Sequence, residues 1–312
     1  MRDWTNKLFI ERSDLFLKIM DQRWAKTEPL VNGIMKVLDD FGIKSGKLLD
    51  LYCGNGRTSI YMAKKGFRAV GVDISKAFLD DAKRKAKEHG VSGLVTFLEG
   101  DARKLKEVVG SNSEPFDVIV NVWTSIGFYP EKDDLSTFKQ ARQLAKEGAI
   151  MFIAETVHTE YLSVKFAPTS YAELDDIVML ENRRYDPMTA QANTCWTFYK
   201  RHGKNLEFID KAEIMHHVYS LSELCSLLKR AGWETVASYG NLSTLQPMSP
   251  LTHMNIVAKA VDSDPQRAHT QAQYPEKTMD AGKTSARKKA VGDTLHGIDL
   301  FRETEAQRAS SV

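Results

Sequence analysis

The sequence predicts an α/β protein built on a doubly wound, mostly parallel sheet. Short apolar runs, which suit buried parallel strands, alternate along the chain with amphipathic helical segments. The clearest unit is Leu48–Ser75, in which a strand, a glycine turn, a helix and a second strand follow one another. Such a sheet binds ligands at the carboxyl ends of its strands, beside the switch point in strand order.

The glycine turn of this unit is its most informative part. Gly54 and Gly56 follow the first strand, and a backbone without Cβ atoms can turn tightly there and approach a ligand. Residues 57–65 have helical periodicity, and the second strand, 67–72, is followed by Asp73. A carboxylate roughly 20 residues after a glycine turn is placed to accept hydrogen bonds from ribose hydroxyls. The unit therefore predicts a cofactor that contains adenosine.

The residues around the turn disfavour a dinucleotide. The G-x-G lacks a well-matched third small residue. Asp50, near the end of the first strand, would repel a pyrophosphate but could hold an ammonium group. S-adenosylmethionine (SAM) has an amino group, a sulfonium and no phosphate. We therefore expect SAM rather than a nicotinamide cofactor, and a nicotinamide oxidoreductase is the disfavoured alternative.

The following segments continue the alternation of helices and strands. Ser75 is a predicted N-cap for a helix over 76–89, and a third strand is expected over 94–98. Asp101, just beyond that strand, could bond the adenine amino group, and Ala102 could pack on the ring.

The last core elements are a fourth strand, a helix and a fifth strand. We expect them over 116–121, 133–146 and 149–154. Because parallel strands end at one edge of a sheet, polar residues at those ends should lie together. The side chains expected there are Asp50, Asp73, Asp101 and Asn121.

Residues 46–260 resemble the class I SAM-dependent methyltransferases. The matching motifs are DLYCGNG, VGVDIS, EGDA and FDVIVNVWTSIGFY. The chain also resembles a small-molecule-type branch of largely unassigned substrate, through Asn121–Tyr129, LENRRYDPMT, CWTFYK and Tyr219–Leu224. The resemblance implies a Rossmann-like sheet of seven strands, the last of them antiparallel, with SAM as the cofactor. The implied cofactor-binding residues are Asp50, Tyr52, Gly54, Asn55, Gly56, Arg57, Asp73, Ile74, Asp101, Ala102 and Asn121.

One position departs from the family pattern. Tyr52 stands where the first glycine of the motif is usual; we expect it to lie still in the strand and to have little effect. DLYCGNG also resembles the RNA uracil-C5 methyltransferases. In those proteins the motif lies in the C-terminal half of the chain, whereas here it lies near the N-terminus. They also have a Pro-Pro-Arg segment after the fourth strand, where this chain has Val-Trp-Thr after Asn121. The sequence favours the small-molecule branch over this alternative.

Two additions to the core are expected to select the acceptor. Residues 1–45 predict a helical cap, either a helix pair packed on the sheet edge or a lid over the cofactor. Residues 156–220 contain three strand-like runs and predict a small antiparallel insertion at the substrate side. The expected substrate-binding residues are Trp123, Thr124, Ser125, Tyr129, Arg184, Trp196 and Tyr219.

Methyl transfer mainly needs alignment of the reacting groups and exclusion of water. An amine or phenol acceptor must also lose a proton, and His216 and Tyr129 are the candidate catalytic residues. His216 and His217 are adjacent in a predicted strand, so they face opposite ways and do not chelate one metal. No metal site is expected.

Composition restricts the partners and the location. The net charge is +2, which does not point to nucleic acid, and three cysteines suit a reducing compartment. The N-terminus is too charged for a signal peptide, and no apolar run is long enough for a membrane span. We expect a cytoplasmic monomer or homodimer.

Residues 261–312 are poor in large apolar residues and predict a disordered polar tail, or a segment that docks on RNA.

The function predicted is therefore methyl transfer from SAM to a small-molecule acceptor. The open alternatives are a methyltransferase that acts on RNA or protein and a non-catalytic SAM-binding protein.

Overall fold

The computed structural model describes residues 4–123 and 125–261. The predicted tail over 261–312 lies outside these residues, apart from Val261. The α-helices are α1 (Trp4–Asn6), α2 (Ser13–Gln22), α3 (Trp24–Asp40), α4 (Arg57–Lys64), α5 (Lys76–Glu88), α6 (Leu105–Val109), α7 (Glu131–Leu144), α8 (Thr159–Lys165) and α9 (Leu221–Arg230). A π-helical turn spans Lys7–Glu11 and a 3-10 turn spans Ala102–Lys104. The strands are β1 (Gly46–Leu51), β2 (Phe67–Asp73), β3 (Val95–Glu99), β4 (Phe116–Val122), β5 (Ala145–Thr156), β6 (Thr169–Leu174), β7 (Ile177–Asp186), β8 (Gln191–His202), β9 (Asn205–His217), β10 (Trp233–Asn241), β11 (Gln246–Pro247) and β12 (Met254–Ala260).

The main sheet confirms the predicted α/β class. Its strand order is β11-β10-β12-β5-β4-β1-β2-β3, and the strands from β5 to β3 are parallel. The last strand in the chain, β12, is antiparallel to β5, as the resemblance implied. The sheet has eight strands rather than seven because a two-residue strand, β11, pairs with the edge strand β10.

Both faces of the sheet are covered by helices. Leu49 of β1 packs in one buried cluster with Phe138 of α7, whereas Leu48 packs in the other with Val31 of α3. Successive side chains of a strand point to opposite faces, so β1 must be apolar on both. The short apolar runs in the sequence were therefore a sound basis for the strand predictions.

Two local predictions need correction. Tyr52 does not lie in β1, which ends at Leu51; it begins the turn with a φ of 56°. The helix expected to reach residue 146 ends at Leu144, because Ala145 is already extended and pairs with Phe116. Strand pairing therefore ends the helix at Leu144, whereas the start of the glycine turn ends β1 at Leu51.

Gly56 is required by packing within the fold. It has a φ of 73°, and a Cβ atom there would lie 2.7 Å from the Phe97 ring and 2.9 Å from Ala82. The turn therefore lies tightly against β3 and α5. This packing is a reason for glycine that is independent of any ligand.

The insertion is a separate antiparallel sheet of four strands, in the order β6-β7-β8-β9. Three strands were expected. The additional strand, Thr169–Leu174, pairs with Ile177–Asp186 through a short turn that includes Asp175, whose φ is 57°. The predicted insertion at the substrate side therefore has one more hairpin than its sequence pattern indicated.

None of the helices among the described residues has the length and apolar character that a membrane crossing requires. In the same residues, no group of three or more His, Cys, Asp or Glu side chains is placed to hold a metal ion.

Candidate functional site

Asp73 lies at the carboxyl end of β2 and is fixed by the glycine turn. The N–H of Gly54 donates to Asp73 Oδ2 at 2.9 Å, and the N–H of Ser75 donates to Oδ1 at 2.9 Å. Burial raises the pKa of Asp73 to about 6, although these hydrogen bonds favour the ionised form. The carboxylate is thus held beside the turn, where we predict contact with ribose.

Asp50 stabilises the start of α4. The backbone N–H of Ser59 donates to Asp50 Oδ2 at 3.1 Å, and the Ser59 hydroxyl donates to the same oxygen at 2.7 Å. Burial raises the pKa of Asp50 to about 6. The carboxylate therefore has a structural role at the helix N-terminus besides any role toward the SAM ammonium group, which stays a prediction.

Asp101 and Tyr129 are brought together by Arg103, a residue that the sequence had not indicated. Arg103 Nε donates to both oxygens of Asp101 at 3.0 Å, and its guanidinium lies 4.0 Å from the centre of the Tyr129 ring. Ala102, which lies between Asp101 and Arg103 in sequence, is buried. The residues predicted to contact adenine and the loop after β4 are therefore connected through Arg103.

Asn121 is the strongest structural sign of a ligand. It lies in β4, is 1% exposed, and neither side-chain polar atom has a hydrogen-bond partner. A buried amide without partners is unfavourable, and such groups in proteins are normally satisfied by a ligand or water. Together with Asp73 and the glycine turn, this amide fits a polar cofactor such as SAM.

The remaining predicted cofactor residues mainly contact the N-terminal helices. Asn55 Nδ2 donates to Asp21 of α2 at 3.0 Å, and Arg57 donates to Thr27 of α3 at 3.1 Å. A Cβ atom at Gly54 would lie 2.7 Å from the sulfur of Met20, also in α2. The predicted cap therefore covers the glycine turn directly. Tyr52 and Ile74 flank the turn and are half-buried.

An aromatic cluster lies beyond the ends of β2 and β4. Its members come from the N-terminal helices, from α5, from the loop after β4 and from β8 of the insertion: Trp4, Phe9, Phe16, Phe78, Trp123, Phe128 and Trp196. Phe16 is central, with ring centroids 5.8 Å from Trp123 and 5.9 Å from Trp196. Trp4 contacts Phe128 edge-on at 4.9 Å. The cap, core and insertion therefore meet at one aromatic surface.

His216 borders this cluster. Its ring centroid lies 6.1 Å from that of Phe128, and its Nδ1 atom is buried without a hydrogen-bond partner. Burial lowers the pKa of His216 to about 4, so the imidazole is neutral at neutral pH. Of the two predicted catalytic residues, His216 is the one with a buried ring nitrogen, Nδ1, that has no hydrogen-bond partner.

Tyr219 lies behind the loop after β4. It is 3% exposed, and its hydroxyl donates to Asp134 Oδ2 at 2.8 Å. The same oxygen accepts the N–H of Gly127 at 3.0 Å, and Gly127 O accepts the N–H of His217 at 2.8 Å. A Cβ atom at Gly127 would lie 2.0 Å from His217 O. Tyr219 thus positions the loop against the insertion.

The other predicted substrate residues are dispersed. Trp196 joins the aromatic cluster and donates to Glu181 at 3.1 Å, and the Ser125 hydroxyl donates to Trp123 O at 3.1 Å. Arg184 is exposed, whereas its neighbour Arg183 is half-buried and pairs with Glu181. Thr124 lies outside the described residues.

Comparisons with known proteins identify the family of the chain. A family model described as "Methyltransferase domain" matches residues 44–250. "Putative methyltransferase YqeM" of Bacillus subtilis (strain 168) is 33% identical over 136 residues, which are 43% of this chain and 51% of the relative. The chain spans about half the length of the first curated relatives it matches. A 23S rRNA (uracil(747)-C(5))-methyltransferase of Pyrococcus horikoshii is 36% identical over 69 residues, but these are only 22% of this chain and 16% of the relative.

Solved structures share the fold at low identity. A SAM-dependent methyltransferase from Clostridium acetobutylicum ATCC 824 superposes with a TM-score of 0.67 at 16% identity, over 80% of this chain and 99% of that one. The sugar N-methyltransferase KedS8 from Streptoalloteichus sp ATCC 53650 gives 0.61 at 14% identity, over 80% and 93%.

The class defined by the fold is a Rossmann-like α/β fold, shared with solved SAM-dependent methyltransferases. The chain belongs to the family described as methyltransferase domain, and SAM is its cofactor.

Proposed function

We propose that the protein transfers the methyl group of SAM to a compact small-molecule acceptor at the aromatic cluster. The observation that carries this proposal is the convergence of cap, core and insertion on that cluster, beside the ends of β2 and β4. A surface enclosed from three sides suits a compact acceptor better than a polymer. The sugar N-methyltransferase among the structural neighbours supports the same acceptor class.

The cofactor is proposed to lie along the glycine turn. Asp73 would hold the ribose hydroxyls, Asp101 and Ala102 the adenine, and Asn121 a polar group of the methionine part. When bound, SAM supplies a methyl group on a sulfonium, which is an excellent leaving group. The protein's own contribution is to orient the two partners and to exclude water.

The aromatic rings suit both tasks. Trp123 and Phe128 are proposed to wall the reacting centre, because aromatic faces attract a cation and rings displace water. His216 is neutral at neutral pH, so it can accept a proton from an amine or hydroxyl acceptor. Burial raises the pKa of Tyr129, so we assign it a walling role beneath Arg103 rather than that of a base.

The location and assembly are also proposals. Cys53, Cys195 and Cys225 are all free, which supports a reducing, cytoplasmic environment. We propose a monomer or homodimer that needs no metal and no nucleic acid.

The test is incubation of the protein with methyl-labelled SAM and fractionated cell extract. Label is then counted in the metabolite, RNA and protein pools. Label in metabolites supports the proposal, whereas label in RNA or protein contradicts the acceptor class. If SAM binds and no pool is labelled, the non-catalytic alternative is favoured. His216→Asn should abolish most labelling with unchanged affinity for S-adenosylhomocysteine (SAH). His202→Asn, at an exposed hairpin end, is the matched control.

A further inference from the structure

Two arginines share one carboxylate oxygen at the end of β5. Arg23, at the start of α3, lies 3.5 Å from Glu155 Oε2, and Arg57, at the start of α4, lies 3.4 Å from the same atom. The side chains of Arg23 and Arg57 are only 15% and 7% exposed. Two largely buried guanidinium groups therefore share this carboxylate oxygen.

Two further carboxylates act on the pair, because the charge of Glu181 raises the pKa of Arg23 and the charge of Arg57 favours the ionised form of Asp50. Arg57 also donates to the Thr27 hydroxyl, and the Arg23 guanidinium lies 4.1 Å from the centre of the Trp123 ring. The Nε atom of Arg23 is buried and has no hydrogen-bond partner. Buried charges are normally paired and hydrogen-bonded, so this group has an unfilled need for an acceptor.

The next buried carboxylate does not fill it. Glu181 of β7 already pairs with Arg183 and accepts from Trp196. Desolvation, with a smaller contribution from the nearby Arg57 charge, lowers the pKa of Arg23 to about 10 against the opposing effects of Glu155 and Glu181, and an added anion would raise it.

The position of the arginine pair connects it with the acceptor. Trp123 directly follows β4, Glu155 is the penultimate residue of the neighbouring strand β5, and the Trp123 N–H donates to Ala154 O at 2.9 Å. Both residues have positive φ, 69° and 57°, which is uncommon for non-glycine residues. Trp123 also belongs to the aromatic cluster through Phe16. The pair thus borders the surface where the acceptor is proposed to bind.

We propose that the acceptor carries an anionic oxygen group, a carboxylate or a phosphate, and that Arg23 binds this group while Arg57 adds its charge. This inference rests on the proposed function and narrows its substrate class. A ligand anion would accept a charge-assisted hydrogen bond from the Arg23 Nε atom, which otherwise has no partner. A purely structural role, in which Glu155 fastens the cap to the sheet, leaves the Nε atom without an explanation.

The probe is ¹⁹F NMR of protein labelled with 5-fluorotryptophan. The chain has five tryptophans, and Trp123→Phe assigns the resonance that lies under Arg23. Benzoate and phenyl phosphate are titrated as the two anions, and benzyl alcohol is the neutral analogue. Each titration is run with and without SAH, whose own affinity is measured by calorimetry.

We expect both SAH binding and a saturable shift of the Trp123 resonance with at least one anion, but not with benzyl alcohol. The anion that binds more tightly shows whether the anionic group of the acceptor is a carboxylate or a phosphate. Arg23→Gln should lower the affinity for that anion by at least about tenfold and leave the affinity for SAH unchanged. Arg23→Lys should retain part of the affinity, because it keeps the charge. Lys18→Gln, which removes a cap cation paired with Asp175, should change nothing.

Equal shifts with benzyl alcohol, no shift with either anion, or full anion affinity in Arg23→Gln would each overturn the inference. Failure of SAH to bind would instead overturn the proposed function, and the anion titration without SAH would still report on the arginine pair. The two failures are therefore distinguishable.

Discussion

Tyr219→Phe tests how the loop after β4 is held. The change removes one buried hydroxyl, which donates to Asp134 Oδ2 at 2.8 Å, and leaves the Gly127 bond to that oxygen in place. Burial raises the pKa of Asp134 to about 7, so the carboxyl is mostly protonated at pH 6 and mostly ionised at pH 8. A hydrogen bond contributes about 0.5–1.5 kcal/mol to stability between neutral groups and about 1.5–3 kcal/mol to a charged group.

The substitution should therefore cost about 1 kcal/mol more at pH 8 than at pH 6. The direction follows from the pKa values. Because the folded pKa of Asp134 is raised, its ionisation destabilises the fold as pH rises from about 4 through about 7. The hydrogen bond from Tyr219 favours the ionised form of Asp134 and so reduces this loss of stability. Its removal in Tyr219→Phe therefore makes the loss of stability at high pH larger.

The assay is urea unfolding of wild type and variant at both pH values. Comparison at a fixed pH cancels other titrating groups, including Asp50 and Asp73. Tyr171→Phe is the control, because Tyr171 is 61% exposed and its hydroxyl is hydrated in both states. The reasoning would be refuted by a loss that is the same at pH 6 and pH 8, or by one no larger than in Tyr171→Phe.

Three further predictions concern the site. Asp73→Ala should weaken SAM binding by about 1.5–3 kcal/mol through loss of charge-assisted bonds to ribose, and calorimetry that finds unchanged affinity would exclude Asp73 as the ribose ligand. Asn121→Leu should lower SAH affinity yet leave the unfolding free energy equal or higher, since it removes an amide without partners; a clear loss of stability would contradict this view of Asn121. Because the folded pKa of His216 is depressed from 6.5 to about 4, wild type should lose up to about 2 kcal/mol of stability relative to His216→Asn between pH 8 and pH 5, a difference that cancels the other titrating groups; parallel pH profiles of the two proteins in urea titrations would contradict the depressed pKa.

Much of the fold was predictable because its signals are local. Strand β1 is apolar on both faces, and Ser75 caps α5 by accepting the N–H of Phe78. Gly54 and Gly56 have the positive φ angles that a tight turn needs. Each of these features depends on residues within a few positions of one another, so a pattern in the sequence is sufficient to find it.

The errors occurred where a partner distant in sequence decides the structure. Ala145 is extended because it pairs with Phe116, and the strand Gln246–Pro247 exists through its pairing with β10. The face on which a strand residue lies also depends on register, which is why Arg183 rather than Arg184 meets Glu181.

The sequence by itself determined the class of sheet, the glycine turn and the strand-end residues that make SAM the expected cofactor. Only the tertiary structure joined Tyr219 to Asp134, 85 positions apart, and Arg57 to Glu155, 98 positions apart. An acidic residue in the first turn of α7, or an arginine at a helix start, is ordinary in sequence. It gains a specific role only when folding removes it from water and leaves a particular distant side chain to satisfy its charge.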